Sequence, residues 1–75
     1  MTNTGNTVED FINEIGKNVT YVPNHANGDR EHKDSEQGIV SSVNEVRGIV
    51  FVKYIRNGIL QQTAEGTDPS NLLKG

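Results

Sequence analysis

The spacing of the hydrophobic positions changes near residue 17, and the change predicts a short helix followed by strands. Four apolar residues follow the i, i+3, i+4, i+7 spacing of one helical face: Val8, Phe11, Ile12 and Ile15. Thr7 precedes them as the expected N-cap, and a glycine follows them as the stop. We expect an α-helix at about residues 8–15, packed on the rest of the chain because so short a helix is not stable alone.

Beyond residue 17, β-branched and aromatic residues come in short runs between turn residues, which is typical of β-strands. In the strongest run Val50, Val52 and Tyr54 alternate with other side chains, so we assign them to the core. Val40 and Val43 are three apart and share a face only if their strand bulges between them. The predicted strands are NVTYVP, GIVSSVN, GIVFVKYI, ILQQTA and a short last strand near Leu72.

The connections between these strands favour a small barrel. Asn57-Gly58 lies between two apolar runs and signals a two-residue hairpin turn, and TDPSNLL reads as a single helical turn. Sheets of so few strands avoid open edges by curling. We therefore expect a mainly β fold, a five-stranded barrel of the Src-homology-3 (SH3) type with a short N-terminal α-helix. Residues 1–6 would be a flexible N-terminus and residues 7–75 one domain.

Composition narrows the classes of protein that fit. Seventy-five residues, 32% of them hydrophobic, allow one small core. The absence of cysteine removes disulfides and thiolate metal sites, and no basic leader or long apolar run is present. A net charge of −3 argues against a protein devoted to neutralising phosphates. We expect a cytoplasmic protein that does not enter membranes.

The polar segment Asn24–Gly38 carries residue types that bind transition metals. Their spacing matches no known metal site, and it lacks the register of a twelve-residue calcium loop. The main interpretation is a solvated loop whose Asn and Asp residues set turns. A metal site is the alternative and acid/base catalysis a distant third. The candidate ligands are His25, Asp29, His32, Asp34 and Glu36.

A second candidate surface pairs one aromatic ring with cations on the third predicted strand, as single-stranded nucleic acids require. The alternative interpretation places Phe51, together with Ile49, under the apolar face of the N-terminal helix. If that helix instead covers a second copy of the chain, the result is a homodimer, and the sequence leaves monomer and homodimer open. The candidate nucleic-acid residues are Arg47, Phe51, Lys53 and Arg56.

Four motifs, VTYVPNHANGD, GIVSSVN, VFVKY and TDPSNL, resemble small proteins encoded by tailed phages and prophages. The resemblance spans about residues 18–73 and implies a compact barrel from a mobile element. It implies no established biochemical activity. Those proteins often carry a cysteine where this chain has Ser35, which argues against transferring a metal site from them.

These observations favour a non-enzymatic accessory protein of a phage or prophage, acting as a small protein-interaction module without a cofactor. Its partner would be a host or phage protein, in the cytoplasm of the bacterial host. The second hypothesis is a nucleic-acid-associated barrel that uses the strand surface around Phe51. The third is a metal-binding role for the polar segment.

Overall fold

A computed structural model describes residues 4–75 and is mainly β, as the sequence predicts. In these described residues six strands form one antiparallel sheet, and three short 3-10 helices lie at Val8–Glu14, Asn24–Ala26 and Pro69–Asn71. The strands are β1 (Asn18–Tyr21), β2 (Glu36–Asn44), β3 (Ile49–Arg56), β4 (Ile59–Leu60), β5 (Glu65–Thr67) and β6 (Leu72–Lys74).

The N-terminal helix, Val8–Glu14, is a 3-10 helix and not the α-helix expected. With about three residues per turn, side chains at i and i+3 eclipse, so Val8, Phe11 and Glu14 share one face. Val8 and Phe11 are buried, whereas the predicted core residue Ile15 follows the helix and is 51% exposed. The Thr7 backbone N–H donates to the Asp10 carboxylate at 2.7 Å, which confirms the start of the helix.

This helix covers the inner face of the sheet, on the side of Val50 and Val52. Phe51 points to the opposite face and lies outside that core, so the expectation that the helix packs over Phe51 is wrong. The reason is the alternation of β3, in which every second side chain faces inward. The core consists of Val8, Phe11, Val19, Val40, Val50, Val52, Tyr54 and Leu72.

The sheet order is β4-β3-β2-β1-β6, and β5 also pairs with β3. The β2–β3 register shifts between Val40 and Ser42, which leaves Ser41 as the extra residue of a bulge. Val40 then lies opposite Val52 and Val43 opposite Val50, so both valines face the core. The predicted bulge is confirmed.

The chain after Asn57-Gly58 differs from the single strand expected there. Both residues of this turn have positive φ, 55° and 74°, as a two-residue hairpin requires. β4 ends after Leu60, and the chain returns to β3 only at Glu65, as β5. Within residues 4–75 no strand pairing joins β6 to β4 or β5, so the sheet has six strands and does not close into a barrel.

The first described residues bind the end of the chain. The Thr4 backbone N–H donates to the Ser70 carbonyl at 2.8 Å, and the Asn6 side-chain amide donates to the Leu72 carbonyl at 2.7 Å. Gly75 in turn donates its N–H to the Asn18 carbonyl on β1. Residues 1–3 of the predicted flexible stretch lie outside the described part of the chain.

Candidate functional site

The loop between β1 and β2, residues 22–35, is a chain of tight turns. Backbone N–H groups donate to carbonyls three residues earlier, from Ala26 to Pro23, Asp29 to Ala26, His32 to Asp29 and Ser35 to His32, at 2.9 to 3.1 Å. The Ser35 hydroxyl also donates to the Asp29 carbonyl. The backbone of the loop therefore has internal partners, which fix the points from which its side chains project.

Three of the five predicted metal ligands converge on one side of this loop and are called the His–His–Asp cluster: His25, His32 and Asp34. One ligand atom from each lies within 4.8 Å of the others. His25 Nε2 is 2.8 Å from Asp34 Oδ2, and the two imidazole rings meet edge to face with centroids 5.2 Å apart. The Asp34 backbone N–H donates to His32 Nδ1 at 3.0 Å.

The other two predicted ligands have different partners. Asp29 Oδ1 accepts the Glu31 backbone N–H, which is the turn-setting role expected of an aspartate in a loop. Glu36 begins β2 and pairs with Arg56. The hydrogen bond from His25, as the main cause, and the positive charge of Lys33 lower the pKa of Asp34.

A second site is a cavity of about 340 Å³ in which Tyr54 stands beside Tyr21. The two rings meet edge to face, with centroids 6.1 Å apart. The Tyr54 hydroxyl lies 2.7 Å from the Thr67 hydroxyl, and burial, the main cause, raises the pKa of Tyr54 to about 12. The lining residues are Tyr21, Glu36, Tyr54, Arg56, Glu65, Gly66, Thr67, Asp68 and Asn71.

Arg56 lines this cavity, and its guanidinium contacts two carboxylates and an aromatic ring. Its Nε lies 2.7 Å from Glu36 and its Nη1 2.8 Å from Glu65, and its guanidinium carbon is 5.3 Å from the centre of the Tyr54 ring. The hydrogen bonds to Glu36 and then Glu65 raise the pKa of Arg56. One guanidinium therefore joins β3 to the start of β2 and to β5.

The candidate nucleic-acid residues do not form one surface. Phe51 and Lys53 share the outward face of β3, where Phe51 is half-buried and lies beside Gly66. Arg56 lies on the other face with Tyr54, and Arg47 is in the β2–β3 turn. The structure thus brings together two of the four residues.

The β3–β4 hairpin beside Arg56 presents apolar side chains to solvent. Ile55 and Leu60 are direct cross-strand partners, exposed by 36% and 43%. Ile59 is opposite Arg56 and 65% exposed. Exposed apolar side chains therefore border the end of β3 that lines the cavity.

Sequence reasoning missed the cavity because its residues come from distant parts of the chain. Tyr21, Glu65 and Asp68 share no motif. One signal was available: strand alternation places Arg56 two residues after Tyr54, on the same face. The pairing with Glu36 and Glu65 depends on the register of β2 and β5, which the sequence does not show.

Comparison with protein-family models, curated proteins and solved structures finds no match to this chain. In the part of the chain that the structure describes, no helix has the length and apolar character needed to cross a bilayer. Any proposal about the function of the protein therefore rests on the geometry of the two sites.

Proposed function

We propose that the chain is a non-enzymatic interaction module of a phage or prophage that binds a basic segment of a host or phage protein in the cavity beside Tyr54. Arg56 carries this proposal. Its guanidinium lies between two carboxylates and over an aromatic face, the surroundings in which cations bind to protein surfaces. The cavity is thus built from groups that accommodate a cationic side chain.

The charge of the lining favours a second cation. Glu36, Glu65 and Asp68 contribute three carboxylates, and Arg56 contributes one positive charge. A lysine or arginine from a partner would reduce this excess of two negative charges, with Tyr21 available for contact with its apolar stem. The same acidic lining disfavours phosphate, so the cavity supports a protein partner over nucleic acid.

The arrangement of strands supports the finer proposal of an SH3-type fold with an open side. A long loop follows β1, a tight hairpin follows β3, and a 3-10 turn precedes β6, which pairs with β1. The cavity lies among the ends of β1, β2 and β3, β5 and that 3-10 turn. Because the sheet does not close, the end of the fold that carries the cavity would be accessible to a partner.

The buried hydroxyl pair of Tyr54 and Thr67 has a structural role in the wall of the cavity. Burial raises the pKa of Tyr54 to about 12, so its hydroxyl stays protonated near neutral pH and remains available for a hydrogen bond. The Thr67 hydroxyl is hydrogen-bonded to it and also donates to the Glu65 carbonyl, at 3.3 Å. The pair thus serves to join β3 to β5.

The test is an NMR titration at low salt with two synthetic peptides of equal length, one carrying arginines where the other carries glutamates. We expect the arginine peptide alone to shift the amide signals of Tyr21, Glu65 and Thr67. Binding should weaken as salt is added, because exposed charges are screened. Equal shifts with both peptides, or none with either, would contradict the proposal.

Asp68→Asn provides a variant that removes one lining charge. An asparagine oxygen can still accept the Ser70 backbone N–H that Asp68 Oδ1 accepts, so the turn should persist. We expect binding of the arginine peptide up to about fivefold weaker, because an exposed ion pair contributes up to about 1 kcal/mol. Asp29→Asn is the matched control, with the same charge change outside the cavity, and should bind as the wild type does.

A further inference from the structure

We propose that the His–His–Asp cluster is a binding site for one divalent transition-metal ion, of which Zn²⁺ is the representative. His25, His32 and Asp34 offer two imidazole nitrogens and a carboxylate oxygen, with one ligand atom from each within 4.8 Å of the others. Zinc–ligand bonds of about 2.0 to 2.2 Å place the ligand atoms of a tetrahedral site roughly 3.3 Å apart. Small side-chain rotations therefore suffice to bring these atoms around one ion.

The turns of the β1–β2 loop fix the backbone that carries these ligands. His32 donates its backbone N–H to the Asp29 carbonyl, and its own carbonyl accepts the N–H of Ser35. At the start of the loop, Ala26 donates to Pro23 and is itself buried. Because the ligands are already adjacent, the ion does not have to order the loop in order to bind, which lowers the entropic cost.

The ion would take the position of the proton between His25 and Asp34. His25 Nε2 and Asp34 Oδ2 are 2.8 Å apart and share one hydrogen. A coordinating nitrogen must present its lone pair, so His25 would bind through Nε2 with its remaining proton on Nδ1. The carboxylate of Asp34 is the charged partner that a divalent ion requires.

Coordination by His32 would break one backbone hydrogen bond. Nδ1 of His32 accepts the Asp34 N–H at 3.0 Å, so it carries no proton in that arrangement. If Nδ1 binds the ion, its lone pair is no longer available to the N–H. If Nε2 binds the ion, the ring proton moves to Nδ1, which then cannot accept. Either way the Asp34 amide loses this partner, which gives the site a specific signature.

The donor set selects the class of ion. Imidazole with carboxylate suits zinc, nickel and copper, whereas calcium and magnesium require mostly oxygen ligands. Three protein ligands leave at least one position for water, and two of the three side chains are exposed. The bound ion would join the start of the loop at His25 to its end at Asp34. This site is separate from the cavity beside Tyr54, so it stands independently of the proposed peptide binding.

The test uses the full chain without any polyhistidine tag and zinc chloride as the only added probe. Proton–nitrogen NMR spectra should show saturable one-to-one binding, shifts of both imidazoles, and a shift of the Asp34 amide as its hydrogen bond is lost. Calcium chloride at the same concentration should leave these signals in place. Unmoved imidazole signals in excess zinc, or an Asp34 amide that does not respond to bound zinc, would overturn the proposal.

Substitutions distinguish a site with specific ligands from a general attraction of the zinc ion to a polar loop. His25→Gln and Asp34→Asn should each weaken zinc binding by at least roughly 10- to 100-fold, the loss already seen for groups that only support a ligand. Glu31→Gln removes an exposed charge from the same loop but no proposed ligand, so its zinc affinity should match the wild type. Equal weakening by Glu31→Gln and Asp34→Asn would show diffuse charge attraction and would refute the site.

Discussion

At Gly38 the backbones of β2 and β3 approach so closely that one additional carbon has no room. A Cβ placed there would lie 2.6 Å from Val52 Cγ1 and 2.8 Å from the Lys53 carbonyl oxygen. The carbonyl belongs to the β-ladder and cannot move aside without disturbing the pairing. The absence of a side chain at Gly38 is thus what allows β2 to run beside Tyr54.

We expect Gly38→Ala to lower the free energy of unfolding by about 1 to 3 kcal/mol, the usual effect of overpacking. The urea midpoint is the measurement. Gly66→Ala on β5 is the matched control, because its Cβ would meet the Ile49 side chain at 3.2 Å, and a side chain can shift. A Gly38→Ala protein as stable as Gly66→Ala would refute the close approach.

Tyr54 should make the fold sensitive to alkali. Its pKa is raised to about 12 in the folded protein, against about 10 in an unfolded chain. Below pH 10 both states hold the proton and the contribution to stability is complete. Between about pH 10 and 12 only the unfolded state releases it, so the free energy of unfolding should fall by at most about 2 to 3 kcal/mol.

Urea unfolding at about pH 9 and about pH 11 measures this decline, since the two values lie on either side of the ordinary tyrosine pKa. Tyr54→Phe has no proton to lose at that position and should show a smaller dependence on pH. It should also start from lower stability, because it leaves the Thr67 hydroxyl without this partner. An unchanged pH dependence in Tyr54→Phe would contradict the assignment.

At the scale of the element, the N-terminal helix shows what hydrophobic spacing can and cannot predict. Val8 and Phe11 fit both a period of 3.6 and a period of 3, so their burial follows from either type of helix. Ile15 distinguishes the two, and it is exposed. The spacing predicted the place of the helix and its N-cap at Thr7, but it did not predict that the helix is a 3-10 helix.

We expect Phe11→Ala to lower the free energy of unfolding by about 3 to 5 kcal/mol, because a fully buried ring leaves a cavity. Ile15→Ala should change it by less than about 0.5 kcal/mol, as for a surface side chain. Chemical denaturation of the two variants tests the contrast directly. If Ile15→Ala were as destabilising as Phe11→Ala, the 3-10 arrangement would be wrong.

The strands were predictable where alternation and turn chemistry agree. The inward set of β3, the bulge beside Ser41 and the turn at Asn57-Gly58 all follow from local rules. The interruption between β4 and β5 does not, because residues 61–64 carry no proline or glycine to mark it. There the pairing with β3 is decided by tertiary contacts that no short window of sequence contains.

The His–His–Asp cluster likewise depends on tertiary structure that a short stretch of sequence does not predict. The sequence offered five ligand-type residues in one polar segment but no means of choosing among them. The choice depends on the turns of the loop, including Asn27, whose φ is positive at 52°. Those turns bring His25 back toward Asp34, while Asp29 sets a turn and Glu36 joins the sheet.

For the whole molecule, the main consequence lies in how the two ends of the described chain are joined. Thr4 and Asn6 bind the backbone at Ser70 and Leu72, and Leu72 is fully buried in the core. Contacts between residues so distant in sequence form slowly, because a long loop must close first. During synthesis the core would stay incomplete until β6 left the ribosome. Until then β1 would lack its pairing with β6, and the core would lack the fully buried side chain of Leu72.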